Sequence, residues 1–187
     1  MIENLNYPCG GSSSSSDDGD TDDTATTTPA AAAAPVGILY VLPAGAELIP
    51  VTGGEFIDLS CTGVSLLRLP DGEETVINQA MCGYKAAMEL VKPEELPSPV
   101  PGPWSFVDGF TVTLMFGGNV VVEAFEGATY TVRFPLANDQ IDDTFHVLYW
   151  DVEANDGLGG WVDLGGAREA LMWVETHDRT GTFVLVK

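Results

Sequence analysis

The sequence predicts an all-β protein: an antiparallel, β-sandwich-like fold of about 11 short strands in one or two packed modules, behind a disordered N-terminal tail. Three observations predict it. Apolar and polar residues alternate with a period of two, most cleanly after residue 103. Gly, Asn and Asp punctuate the chain between short runs of β-branched and aromatic residues. No helical period is sustained through that second half.

Residues 1–35 read as a tether. They are rich in Ser, Asp, Thr and Ala and nearly free of bulky apolar side chains, so burial cannot offset chain entropy. Asp18, Asp20, Asp22 and Asp23 suggest calcium, but an EF-type loop counted from Asp18 puts Asp23 at the glycine position and Pro29 at the closing glutamate, so the match fails. Cys9, followed by Gly10, Gly11 and a serine run, resembles the start of a mature bacterial lipoprotein. That resemblance implies a lipid anchor on Cys9, residues 1–8 as the end of a signal peptide, and membrane attachment through that anchor alone. The other reading of Cys9 is an unpaired thiol in a flexible tail.

Residues 36–92 are expected to form an N-terminal β module. Residues 36–42, from Val36 to Leu42, are a compact apolar run read as a buried strand. Two further runs, at 47–51 and 55–60, are split by Thr52, Gly53 and Gly54, and Pro50 assigns the first of them to a sheet edge. Pro70, Asp71 and Gly72 supply β-turn chemistry between the runs at 65–69 and 74–78, predicting a hairpin. Cys61 and Cys82 fall at the outer ends of its two strands, where antiparallel pairing brings equivalent positions together. A disulfide there would close a loop of about 22 residues and contribute roughly 3 kcal/mol, and it implies an oxidising compartment. The run 83–91 is ambiguous between helix and strand.

Residues 93–103 hold five of the chain's prolines and read as a stiff connector and module boundary. Residues 104–187 form the second expected module. Phe110, Val112, Leu114 and Phe116 share one strand face; Tyr130, Val132, Phe134 and Leu136 share another. The run 145–152 is apolar on both faces, which predicts an interior strand.

Phe145 to Asp151, then Trp161 and Val162, then Thr180 to Val184, resemble the C-terminal strands of ZU5-like β-sandwich modules. They are most similar to versions in uncharacterised secreted or surface proteins of filamentous bacteria. The resemblance extends to Leu48–Gly54, Cys61 and Cys82–Tyr84. It implies an envelope or extracellular module. Some ZU5 relatives cleave themselves at His-Phe-Ser; here Val147 follows His146 and Asp178 follows His177, so that site is missing.

With 28 acidic against 7 basic residues, the net charge is −21. This excludes nucleic acid as a partner, since phosphate contacts need clustered Lys and Arg, and it opposes docking on an anionic membrane. Candidate chemistry is sparse. His146 shares a face with Leu148 and Trp150 and reads as a packed or rim histidine; His177 reads as exposed in a turn. Asp151, Glu153 and Asp163 flank one loop as a glycosidase pair would, but with so many acids such coincidences are expected. Trp150, Trp161 and Trp173 on neighbouring strands would make a sugar- or protein-binding platform if exposed. The expectation is therefore a non-enzymatic extracellular or cell-surface structural or adhesion module, without cofactor or metal. Its partners are other envelope proteins or itself, through strand addition of residues 36–42 to a neighbour's sheet. The alternative is a carbohydrate- or calcium-binding domain.

Overall fold

The computed structural model describes residues 46–121, 127–140 and 142–187. Their thirteen strands form two packed sheets. In chain order they are β1 (Glu47–Pro50), β2 (Ile57–Asp58), β3 (Ser65–Arg68), β4 (Glu74–Ile77), β5 (Tyr84–Leu90), β6 (Phe106–Phe116) and β7 (Asn119–Val121). There follow β8 (Tyr130–Pro135), β9 (His146–Asp151), β10 (Gly160–Gly165), β11 (Ala167–Glu169), β12 (Met172–His177) and β13 (Thr182–Val186). One sheet runs β1-β3-β4-β8-β12-β11. The other runs β10-β9-β13-β6-β5-β2, with β7 also paired to β6. The all-β sandwich is thus as the alternation predicts. The run 145–152 is interior as expected, since β9 pairs both β10 and β13.

The core lies between the sheets. Leu67, Ile77, Tyr130, Val132, Phe134 and Trp173 from one face meet Met88, Phe110, Val112, Val147, Tyr149 and Phe183 from the other. Phe110 sits at its centre, 4.9 Å from Phe134 across the gap and 6.4 Å from Phe183 beside it. Such offset aromatic pairs add to what their buried area contributes.

Two sequence expectations need correction, and one ambiguity is resolved. Residues 93–103 are not a module boundary: both sheets take strands from either side of them, and the described residues before and after them share one core. Prolines cannot join a ladder, so the segment instead runs as a strap over the outer face of the second sheet. There Leu96, Val100 and Trp104 pack on Leu148, Val184 and Val186. This second layer explains why β9 is apolar on both faces. The 83–91 ambiguity resolves to a strand, because β5 pairs β6 over seven registered residues despite its Ala and Met content. The sheets are not wholly antiparallel, since β1 lies parallel to β3 at the edge. The chain leaves β1, enters the opposite sheet as β2 and returns in its original direction. β11 and β12 are separated at Ala170, whose φ is +56°.

The chain passes from the second sheet to the first through Gly165 and Gly166. Trp173 Nε1 donates to the Gly165 carbonyl at 3.3 Å. Gly166 has φ +111°, and a Cβ there would overlap the Trp173 indole nitrogen. Gly166→Ala is expected to destabilise by about 2 kcal/mol, through backbone strain plus a displaced core indole, as read by urea denaturation followed by tryptophan fluorescence.

Candidate functional site

The predicted disulfide is present. Cys61 and Cys82 are bonded, with Cα atoms 4.2 Å apart. The β3–β4 hairpin between them is in register from Ser65↔Ile77 to Arg68↔Glu74. Its turn is held by Leu69 N–H donating to the Glu73 carbonyl and Gly72 N–H donating to the Leu69 carbonyl, at 2.9 and 3.0 Å. Gly72 takes φ +108°, the left-handed turn position its residue type predicts. Cys9 and residues 36–42 lie outside the described residues.

The three tryptophans do not form one platform. Trp150 on β9 and Trp161 on β10 are direct cross-strand partners, their rings edge-to-face at 5.2 Å. Trp173 is 8 % exposed and faces the core from the other sheet. Trp161 Nε1 donates to the Ser98 carbonyl at 3.1 Å, fastening the strap. Trp150 leans over the turn into β10, where a Cβ on Gly159 would collide with its ring. Both indoles therefore serve as packing as well as surface. Trp161→Phe is expected to destabilise by about 1 kcal/mol, the worth of one net hydrogen bond, and to quicken protease cleavage within 93–103 while the core stays protected.

His146 sits at the rim of the same outer face. Its ring packs against Trp104 at 4.4 Å, tilted by 40°, and its Nδ1 lies 2.9 Å from Asp163. The candidate carboxylates are already engaged: Asp163 by His146, Glu153 by Arg179 at 2.8 Å, with Asp151 3.8 Å from the same guanidinium. Strand parity sends Asp151 and Asp163 to opposite faces of the sheet, so they cannot flank one glycosidic bond. His177 ends β12 and is partly buried rather than exposed in a turn. Its ring meets Tyr149 edge-on at 4.3 Å. Nδ1 lies 2.9 Å from both the Asp178 N–H and the Asp178 carboxylate. Burial pushes its pKa below the ordinary imidazole value, and burial likewise raises that of Tyr149.

The chemistry that sequence reading missed lies at the hairpin. Glu73 is 3 % exposed, with Oε2 buried away from any donor among the described residues. Its carboxyl faces that of Asp108, which points inward from β6. Burial, then the Asp108 charge and its contact, hold Glu73 up at about 7, against the backbone hydrogen bond that lowers it. Burial also raises Asp108, offset by the Gly109 N–H that donates to its Oδ1 at 2.7 Å and by the bond from Glu73. Asp71 on the turn raises both. Two neighbouring carboxyls with further negative charge beside them resist ionising together, so the pair holds a proton that a free carboxylate would release. The next residue, Glu74, points to the outer face, where Arg68 Nε donates to it at 2.7 Å and Arg133 Nε lies 3.6 Å away. Strand parity is the one signal that could have separated these neighbours, since pairing Glu74 with Arg68 on the outer face turns Glu73 inward.

Among the described residues no group of three or more His, Cys, Asp or Glu side chains is arranged to hold a metal ion. No described helix is long and apolar enough to cross a membrane. No family model, curated protein or solved structure matches the chain.

Proposed function

We propose that the chain is a non-enzymatic structural or adhesion module of the cell surface or extracellular space, acting in envelope assembly. The observation that carries this reading is the Cys61–Cys82 bridge across the β3–β4 hairpin, because a structural disulfide persists outside the reducing cytosol. The charge of −21 suits a solvated, self-repelling exterior. The aromatic side chains work as packing between the sheets and beneath the strap. The pattern shared with ZU5-like modules supports the same reading, and a lipid on Cys9 would anchor the module.

The test is made in the cells that produce the chain. Intact cells are treated with an impermeant protease, and lysates are alkylated with and without prior reduction. The expected result is shaving of the chain from outside, with Cys61 and Cys82 alkylated only after reduction. Thiols alkylated without reductant, on a chain protected from protease, would overturn the reading. Calorimetry with calcium and a glycan panel tests the rival. Heat of binding that disappears on Trp150→Ala would move the assignment to a ligand-binding domain.

A further inference from the structure

Resting on the surface-module reading, we infer that the free edge of β10 accepts residues 36–42 of a second copy of this chain, so that copies join head to tail. Among the described residues β10 pairs only β9, and Gly160–Asp163 leave one side of the ladder open, up to the register shift at Gly165, whose N–H and carbonyl are taken by Asp163 and Trp173. Edge strands are ordinarily blunted by charge, proline or brevity. The other edge strands show such devices, and β7, off the main order, is only three residues long. β1 carries Pro50, β11 is three residues long with Arg168 and Glu169, and β2 has two residues. β10 has a single charge, Asp163, and that carboxylate is turned onto His146 at 2.9 Å.

The edge is also apolar on both faces. Val162, 38 % exposed, and Leu164 continue the core face, while Trp161 continues the outer one. Beside them Leu158 is 85 % and Val152 54 % exposed. A strand that completes this edge must therefore be apolar on both its faces. Residues 36–42 have that pattern, with Val36, Ile38, Tyr40 and Leu42 on one side and Leu39 and Val41 on the other.

Reach decides which copy supplies it. The first described strand, β1 from Glu47, lies at the edge opposite β10 and β11, which are joined through Gly165 and Gly166. Five strand spacings separate the two sides, about 24 Å. Leu42 lies five residues before Glu47, at most about 18 Å even when extended. A chain cannot lay residues 36–42 on its own β10. The tether point of the arm, β1, and the acceptor, β10, are opposite edges of one molecule, so the contact is heterologous and propagates instead of closing into a dimer.

The experiment uses the full chain with its disulfide intact and Cys9→Ser to remove stray crosslinks. Light scattering over a concentration series is expected to show growing species, and negative-stain microscopy to show linear particles. Tyr40→Pro disables the arm and Val162→Pro the edge; each alone is expected to be monomeric. Val162→Lys places a charge on the edge while keeping every backbone N–H, and covers the case where proline disturbs β9. Mixed together, the arm variant and the edge variant retain one working arm and one working edge, and should give 1:1 heterodimers and nothing larger. A monomeric parent chain, a dimer that does not grow, or single variants that assemble as the parent does would each overturn the inference. A monomer that is shaved from intact cells removes the assembly and leaves the location. An assembling chain whose Cys61 and Cys82 are free thiols in cells does the reverse.

Discussion

Raising the pH from 5 to 8 is expected to weaken the fold by on the order of 3 kcal/mol through Glu73 alone. The folded-state pKa of this residue, about 7, stands above its ordinary value of 4.5. The native protein therefore holds a proton that the unfolded chain releases. The resulting stability is fully present below about 4.5 and is lost as the pH rises through about 7. Above that, Glu73 and Asp108 are both charged inside the sandwich, with Asp71 adding to the repulsion. His177 works in the opposite direction. Its lowered pKa means stability is lost as pH falls below the ordinary imidazole value. The variant that isolates the effect is Glu73→Gln, which does not titrate and whose amide can still donate to Asp108. Urea denaturation at pH 5, 6, 7 and 8 should show the parent's midpoint falling more steeply than the variant's, with the two curves crossing and Glu73→Gln the more stable at pH 8. Parallel curves would mean that the pair does not hold its proton.

How far this could be read from the sequence depends on which residues carry the signal. The β3–β4 hairpin was legible because Pro70, Asp71 and Gly72 each have a backbone preference that only a turn satisfies, and the register of the cysteines followed from it. The strands at 110–116 and 130–136 were legible because their outer faces are polar enough to show the period of two. Where a second layer covers a face, that contrast vanishes. Leu148, Val184 and Val186 are buried beneath Leu96, Val100 and Trp104, so proline content suggested a linker where the structure has a strap. The parallel β1–β3 pair was hidden because direction depends on the excursion through β2 in the other sheet, not on any residue within β1. Among the site candidates, Trp150 and Trp161 were rightly placed on adjacent strands, whereas Trp173 belongs to the opposite sheet. Glu73 was lost among 28 acidic residues, because its distinction is its surroundings and not its type.

Replacing Cys61 and Cys82 together by Ala is expected to destabilise the protein by about 3 kcal/mol, mainly by restoring freedom to the unfolded chain around the closed loop. The structure suggests where that freedom acts first. The bridged loop, 21 residues from cysteine to cysteine, contains β3, β4 and the turn that brings Glu73 to Asp108. Edge strand β1 is held in the sheet by β3 alone among the described residues, so anything that loosens β3 also loosens β1. Reduction should therefore open the β1–β3–β4 side before the β9–β13–β6 side. Hydrogen exchange of the reduced or Cys-free chain should lose protection at 47–50 and 65–77 while 146–151 and 182–186 hold. The pH dependence should shrink in step, since a frayed hairpin exposes Glu73 to water and returns its pKa toward the ordinary carboxylate range. Uniform loss of protection across both sheets, with the Glu73 titration unchanged, would show that the bridge acts on global stability alone and does not fix the hairpin.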